Sequence, residues 1–148
     1  MKRHAYIYIA TVIIVGILGV NAQAQSSRNM QRLRVTIPFD FTAGDTLMSA
    51  GTYRVNVVNP SSDRCVLQIA SNDGKANVMT KTTDIQGRLS ENAKLTFRRY
   101  GDQYFLGQVW MAAEALGFDT HSSKAEKSLR RQLGNLAKNV EVVAVDAR

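Results

Sequence analysis

Residues 94–111, KLTFRRYGDQYFLGQVWM, decide the fold class of this protein. Two runs of β-forming residues flank the pair Gly101-Asp102. Such a pair between two strand-like runs is typical of a two-residue β-hairpin loop, because glycine tolerates a positive φ and aspartate favours turns. We therefore predict a hairpin at the centre of the hydrophobic core.

The length of the loop determines which side chains of the hairpin share a face. With a two-residue loop, Phe97 is expected opposite Leu106. Leu95 is then expected opposite Gln108. The other face would hold three apolar or aromatic residues, namely Tyr100, Phe105 and Val109. Because both faces are partly apolar, we expect the hairpin to be covered on both sides; a three-residue loop would reverse the facing of one strand.

Five other segments have the composition or the alternation of β-strands. They are residues 33–37, 52–58, 65–70, 76–83 and 140–145. The third and fourth of these are expected to pair across the turn signal Asp73-Gly74. The last is a candidate strand along the sheet edge. From the spacing of the strands we predict a mainly β domain, a small antiparallel β-sandwich or a partly closed barrel of about six to eight strands, with one C-terminal α-helix.

Cys65 is the only cysteine of the chain, so no intramolecular disulfide can form. It shares a predicted strand face with Leu67 and Ile69, which favours a small buried side chain. The alternative interpretation is a reactive free thiol that forms an intermolecular disulfide.

A helix is predicted at about residues 123–139. Its start matches the capping-box pattern Ser-x-x-Glu at Ser123 and Glu126, in which each side chain accepts a hydrogen bond from the backbone N–H of the other residue. Gly134 marks either a close packing contact or an early end of this helix. An apolar stripe has helical spacing and is formed by Ala125, Leu129, Leu133, Leu136 and Val140.

The opposite face of the predicted helix is basic, in a chain whose formal net charge is +7. Its cations are Lys124, Lys127, Arg130, Arg131 and Lys138. Their positive field would attract an anionic lipid, a cell-wall polymer or an acidic protein. The alternative is a solvated outer face. Nucleic acid is not an expected partner, since Arg98 and Arg99 are better explained by pairing across the hairpin than by stacking on bases.

The N-terminus has the three-part layout of a secretory signal: a cationic start, a mainly apolar run over residues 5–20, and the small-x-small motif Ala22-Gln23-Ala24. We expect cleavage near Ala24. A retained anchor is the alternative, but the apolar run is shorter than the ~20 residues that a spanning helix needs. The protein is therefore expected in the periplasm or outside the cell. The predicted organisation is a signal peptide at 1–24, a flexible tether at 25–31 and a single β-rich domain at 32–148.

Few residues of the predicted mature chain suit catalysis or metal binding. His121 is its only histidine, whereas zinc sites need several His or Cys ligands at short spacing. Acid pairs such as Asp84 with Glu91, or Glu114 with Asp119, lack a pattern that points to glycoside hydrolysis. The glycines are dispersed over turns and form no phosphate loop. The sequence thus predicts no catalytic residue, no cofactor and no metal.

In the order of its motifs, the chain resembles a loose family of small secreted bacterial proteins. The matching motifs are Ile37-Pro38-Phe39-Asp40-Phe41, Ala50-Gly51-Thr52-Tyr53-Arg54-Val55, the hairpin segment, and Ser123 with Glu126. The resemblance implies an exported β-domain and no activity.

Three functional hypotheses follow from the sequence. The leading one is a non-catalytic envelope or secreted protein that binds a partner or an anionic surface through its basic C-terminal helix. The first alternative is a hydrolase that acts on an envelope polymer. The second is a structural assembly subunit, a homo-oligomer whose copies pair through sheet edges at residues 140–145.

Overall fold

The computed structural model describes residues 32–59, 65–134 and 140–148. The strands in these ranges are β1 (Arg32–Ile37), β2 (Phe41–Ala43), β3 (Thr46–Met48), β4 (Gly51–Val58), β5 (Val66–Ser71), β6 (Asn77–Gln86), β7 (Ala93–Tyr100), β8 (Gln103–Trp110), β9 (Leu116–Thr120) and β10 (Glu141–Ala147). One helix, α1 (Lys124–Leu133), lies between β9 and β10. The predicted signal peptide and tether, and residues 135–139 of the predicted helix, lie outside the described residues.

Eight of the strands form a closed antiparallel barrel. The order around it is β8-β7-β10-β1-β4-β5-β6-β9, and β9 pairs again with β8. This confirms the mainly β fold with one C-terminal helix. Of the architectures predicted, the barrel is the one found, and it is fully closed because β9 pairs with both β6 and β8.

The short β2–β3 hairpin occupies the part of the β8 edge that β9 does not reach. Residues 108–110 of β8 pair with β9, whereas Phe105 pairs in parallel with Thr42 of β2. At the tip of the hairpin, Gly44 has φ 58°, and a side chain there would begin 3.7 Å from Thr80 Oγ1 on β6. The hairpin therefore links β8 to β6 beyond the end of β9.

The hydrophobic core fills the barrel, with alternate residues of each strand turned inward. On β1 the inward residues are Leu33, Val35 and Ile37. Phe41 of β2 joins this core, with its ring centroid 5.4 Å from that of Phe97. The interior of the barrel is thus packed with side chains, including a residue from the added hairpin.

The loop of the central hairpin has the predicted length. Tyr100 pairs with Gln103, so Gly101 and Asp102 alone form the turn. Phe97 pairs with Leu106 as expected. The sequence signals of the turn and of the first strand pairs are therefore confirmed.

Further along the hairpin the expected register is wrong. Leu95 pairs with Val109 and not with Gln108, because a β-bulge interrupts the pairing after Thr96. Gly107 is the extra residue on β8, and a side chain there would begin 3.1 Å from the Thr96 carbonyl oxygen. The bulge turns Val109 into the core, although the two-residue loop alone predicts it on the outer face.

Cys65 is buried, with 2 % of its surface exposed. It lies in the core together with Leu67 and Ile69, as the alternation predicted. Burial raises the pKa of the thiol, and the hydrogen bond with Thr82 only partly opposes this effect. A buried thiol with a raised pKa is poorly suited to disulfide exchange.

The segment predicted as a sheet-edge strand has a different place. β10 lies between β7 and β1, pairing with β7 over all its seven residues and with β1 at Val35 and Ala147. The reason is that closing the barrel requires a strand between β7 and β1. The segment that was expected to pair with a neighbouring copy is therefore used within the barrel.

The helix is described over ten residues and ends where the sequence offered an early stop. Gly134 follows Leu133 with φ 51°, a conformation that glycine adopts without strain, and its N–H donates to the Arg130 carbonyl. The predicted apolar stripe is only partly covered. Leu129 and Leu133 are half-buried and Ala125 is exposed. A different side chain must therefore fix α1 to the barrel.

Candidate functional site

Glu126 attaches the helix to the outer face of the β7–β8 hairpin. It is 1 % exposed and is the one helix residue of α1 that is buried. Arg98 donates from Nε to Glu126 Oε1 over 2.7 Å and from Nη2 to Oε2 over 3.2 Å, which makes a bidentate ion pair. The Tyr100 hydroxyl donates to Oε1 over 3.0 Å. We call these three residues the Arg98–Glu126–Tyr100 cluster.

The guanidinium of Arg98 is also held by the backbone of the barrel. Its Nη2 donates to the carbonyl oxygens of Leu106, over 3.1 Å, and of Thr120, over 3.3 Å. The bulge residue Gly107 leaves room for this arrangement, since a side chain there would begin 3.4 Å from Arg98 Nη1. The bulge in β8 thus both shifts the core register and provides space for the arginine.

The pKa of Tyr100 is raised, first because its hydroxyl is removed from water and then because it donates a hydrogen bond to the Glu126 carboxylate. Both effects favour the protonated phenol. Tyr100 therefore remains a donor to Glu126 well above neutral pH.

The N-terminus of α1 is capped from two sides. The Glu126 N–H donates to Ser123 Oγ over 3.0 Å, which is the half of the predicted capping box that this structure contains. The Lys124 N–H donates to Asp45 Oδ1 over 2.8 Å, from the turn between β2 and β3. The Glu126 carboxylate is bound by Arg98 and Tyr100, so it is not used for the reciprocal capping bond.

The basic residues predicted on the helix are exposed where the structure describes them. They are Lys124, Lys127, Arg130 and Arg131; Lys138 lies outside the described residues. At ~100° per residue these four cations fall within an arc of about 120°. Glu126 lies outside that arc and is turned towards the barrel. We call the four exposed residues the basic helix face.

A second group of cations, which no local sequence pattern predicted as a cluster, lies on the outer face of the barrel. Arg34 of β1 pairs directly with Arg54 of β4. On its other side, Arg34 exchanges two backbone hydrogen bonds with Arg148, of 2.6 and 2.8 Å. Three arginines thus lie in a line, with Arg148 directly after the end of β10, Arg34 on β1 and Arg54 on β4, and we call them the arginine row. Only the register of these distant strands brings them together, although the outward alternation of Arg34 and Arg54 was visible in the sequence.

Two shallow clefts flank the arginine row. One, of about 490 Å³, is lined by Arg34, Thr36, Thr52, Asp146 and Arg148. The other, of about 380 Å³, is lined by Arg32, Arg54, Asn56, Gln68, Ala70, Ser71, Gly74, Ala76 and Asn77. Among these lining residues, Asp146 is the single acid.

Among the described residues, His121 forms no hydrogen bond with a carboxylate or a hydroxyl. The exposed His121 ring has Nδ1 3.2 Å from the carbonyl oxygen of Lys81. A third cleft, of about 540 Å³, is lined by one carboxylate, that of Asp73, near Tyr53. Within the described ranges, no three His, Cys, Asp or Glu side chains are grouped so that they could hold a metal ion.

The arginines expected to pair across the hairpin do so and also bind other elements. Arg99 lies opposite Tyr104, with its guanidinium carbon 5.4 Å from the ring centroid, and Arg98 donates to the Leu106 carbonyl oxygen. Arg98 binds Glu126 of α1, and Arg99 Nη1 lies 3.1 Å from Glu141 Oε2 on β10. The ion pairs of the hairpin are therefore set by the tertiary fold.

No family model matches the chain, and no curated protein and no solved structure matches it significantly. Within the described residues there is no helix of the length and apolar character that crossing a bilayer requires.

Proposed function

We propose that this protein is exported, acts without catalysis in the periplasm or outside the cell, and binds an anionic surface through the basic helix face. The expectation of export depends on the N-terminal sequence and on the resemblance to small secreted bacterial proteins. The expectation of binding depends on the way the helix is attached.

The observation that carries the proposal is the burial of Glu126. It is the only acid of α1, and its charge faces the outer surface of the barrel, where Arg98 balances it. The exposed side of the helix therefore presents Lys124, Lys127, Arg130 and Arg131 with no acid of α1 among them. A purely solvated helix face commonly mixes both signs of charge.

The kind of ligand is indicated by the shape and the residue types of this face. Exposed lysines and arginines on a convex helix attract many phosphate or carboxylate groups through their field, without forming a closed site for one small molecule. A membrane with anionic lipids or an anionic cell-wall polymer meets this description. Binding of this type weakens as salt is added, because ions screen exposed charges.

The test is co-sedimentation of the mature protein with vesicles of phosphatidylglycerol and phosphatidylcholine, and with isolated cell wall, at low and high salt. A variant with Lys127→Gln, Arg130→Gln and Arg131→Gln is expected to lose salt-sensitive binding. Its matched control changes three exposed cations elsewhere, with Lys75→Gln, Lys81→Gln and Arg88→Gln. Equal binding by the helix variant and the wild type, or equal loss in both variants, would refute the role of the basic helix face.

A further inference from the structure

The arginine row is an electrostatically unfavourable arrangement within the fold. Arg34 lies directly opposite Arg54, and its backbone hydrogen bonds with Arg148 place that residue opposite it on the other side. Neighbouring strands are ~4.8 Å apart, so the three arginine side chains leave the sheet from positions separated by about this distance. Like charges directly opposite each other destabilise a sheet. A local loss of stability of this kind is typical of residues that bind a ligand.

Among the described residues, no ion pair neutralises the arginine row. The ion pairs of the described ranges are formed by other arginines and lysines, and none includes Arg34, Arg54 or Arg148. Asp146, the acid in the adjoining cleft, lies directly opposite Lys94 of β7. The outer face of β10, β1 and β4 is therefore positive.

Polar side chains with uncharged hydrogen-bonding groups adjoin the row. Asn56 Nδ2 donates to Gln68 Oε1 over 3.3 Å, and Gln68 Nε2 donates to Asn77 Oδ1 over 3.2 Å. In the neighbouring cleft, the hydroxyls of Thr36 and Thr52 lie 3.1 Å apart. These amides and hydroxyls lie beside the guanidinium groups on one continuous sheet surface.

One atom beneath this surface lacks a hydrogen bond. Among the described residues, Asn56 Oδ1 is the one buried side-chain oxygen or nitrogen that has no hydrogen-bond partner. This oxygen is enclosed by the protein, so a ligand on the outer face does not reach it. The groups of this face that a ligand can reach are the exposed ones, such as the Asn77 amide and the Thr36 hydroxyl. Both can donate and accept hydrogen bonds, so a ligand that carries hydroxyl groups as well as negative charge suits this face.

We propose that the outer face of β10, β1 and β4 binds an acidic polysaccharide. The guanidinium groups of the arginine row would bind the acid groups of successive sugars, since the planar arginine fork matches a carboxylate. Sugar hydroxyls would exchange hydrogen bonds with the exposed Asn77 amide and Thr36 hydroxyl, which line the two clefts. The two clefts are lined by no aromatic side chain for stacking on a base and by no large apolar side chain for insertion into lipid.

This site is independent of the basic helix face. The helix is attached over β7 and β8, whereas the arginine row crosses β10, β1 and β4. The two proposals can therefore fail separately.

The test is isothermal titration of the mature protein with a short polygalacturonate fraction, with neutral dextran and polyphosphate as comparison ligands. The variant Arg34→Gln/Arg54→Gln is expected to bind polygalacturonate about tenfold or more weakly, because two charge-assisted contacts are lost. The matched control Lys81→Gln/Arg88→Gln removes two exposed cations outside both clefts and is expected to change affinity less than about twofold. Unchanged affinity in the first variant, or equal loss in both, would overturn the site.

Asn77→Ala tests the class of ligand, because Asn77 is exposed and lines the cleft beside Arg54. It is expected to weaken binding of polygalacturonate, whose hydroxyls can donate to and accept from the amide, more than binding of polyphosphate. If polyphosphate binds the wild type as tightly as polygalacturonate and Asn77→Ala affects neither, the assignment to a polysaccharide is wrong. The triple variant Lys127→Gln/Arg130→Gln/Arg131→Gln should still bind polygalacturonate. The variant Arg34→Gln/Arg54→Gln should still bind the vesicles. Trp110, the only tryptophan, reports by its fluorescence whether each variant is folded.

Discussion

The two faces of the β7–β8 hairpin are both buried, but by different kinds of interaction. The inner face contributes Leu95, Phe97, Leu106 and Val109 to the apolar core. The outer face is covered by α1 at the Arg98–Glu126–Tyr100 cluster, where a bidentate ion pair and a tyrosine hydroxyl lie beside the buried ring of Phe105.

The apolar contacts of the inner face stabilise the barrel, whereas the polar contacts of the outer face position the helix. Apolar burial is non-directional and grows with area, by ~25 cal/mol per Å², so it favours a filled barrel but does not specify one contact. A buried carboxylate must find its cation in the correct geometry. Because Glu126 can be satisfied only at Arg98 and Tyr100, it determines where α1 lies and which side of it faces outward.

The largest expected effect is on the inner face. Phe97→Ala should lower the free energy of unfolding by about 3–5 kcal/mol, since it leaves a cavity in the centre of the core. Urea denaturation followed by Trp110 fluorescence measures this loss. Leu89→Ala, at a residue that is 70 % exposed, is the control and should change stability by less than ~0.5 kcal/mol. A loss below about 1 kcal/mol for Phe97→Ala would mean that the core does not depend on this contact.

A smaller but more specific effect is expected on the outer face. Glu126→Leu should cost about 2–3 kcal/mol, because the largely buried Arg98 loses its bidentate partner and keeps only the 4.0 Å contact of its Nη1 with Asp119 Oδ1. The double variant Arg98→Met/Glu126→Leu should be more stable than the sum of the single changes predicts, since neither charge is then left unpaired. Urea denaturation of the wild type, Arg98→Met, Glu126→Leu and the double variant gives the coupling energy. Strict additivity would show that the ion pair does not act as a unit.

The smallest effect concerns the tyrosine of the cluster and depends on pH. Tyr100→Phe should cost about 1.5 kcal/mol near pH 7, the lower end of the range for a hydrogen bond to a charged group, and here that bond is buried. The pKa of Tyr100 is raised above its ordinary value of 10.0 by burial and by the bond to Glu126. Between about 10 and this higher pKa, the folded protein keeps a proton that the unfolded chain has released, so the stability contributed by Tyr100 falls as pH rises.

The stability difference between wild type and Tyr100→Phe should therefore be constant from about pH 7 to 9 and become smaller above about pH 10. Tyr53, whose pKa burial also raises, is present in both proteins, so its effect cancels in the difference. Tyr104→Phe is a matched control at a half-buried ring that stacks on Phe39. A difference that stays constant up to pH 11 would contradict the role assigned to the Tyr100 hydroxyl.

Local signals in the sequence determined much of the fold. The turn at Gly101-Asp102, the buried face that includes Cys65 and the cap at Ser123 are all predicted correctly. Each depends on physical preferences that act within a few residues: the φ of glycine, strand alternation and the hydrogen bonds of the first helical turn. The exposed cations of the helix follow from the same 3.6-residue period.

The tertiary structure alone decided how distant segments meet. Closure of the barrel placed β10 between β7 and β1, the bulge at Gly107 reversed the facing of Val109, and Glu126 found its partner Arg98 across 28 residues. The arginine row is likewise created by register between β10, β1 and β4. These outcomes are not local, because strand order and register are fixed by which pairings fill one common core and close one barrel.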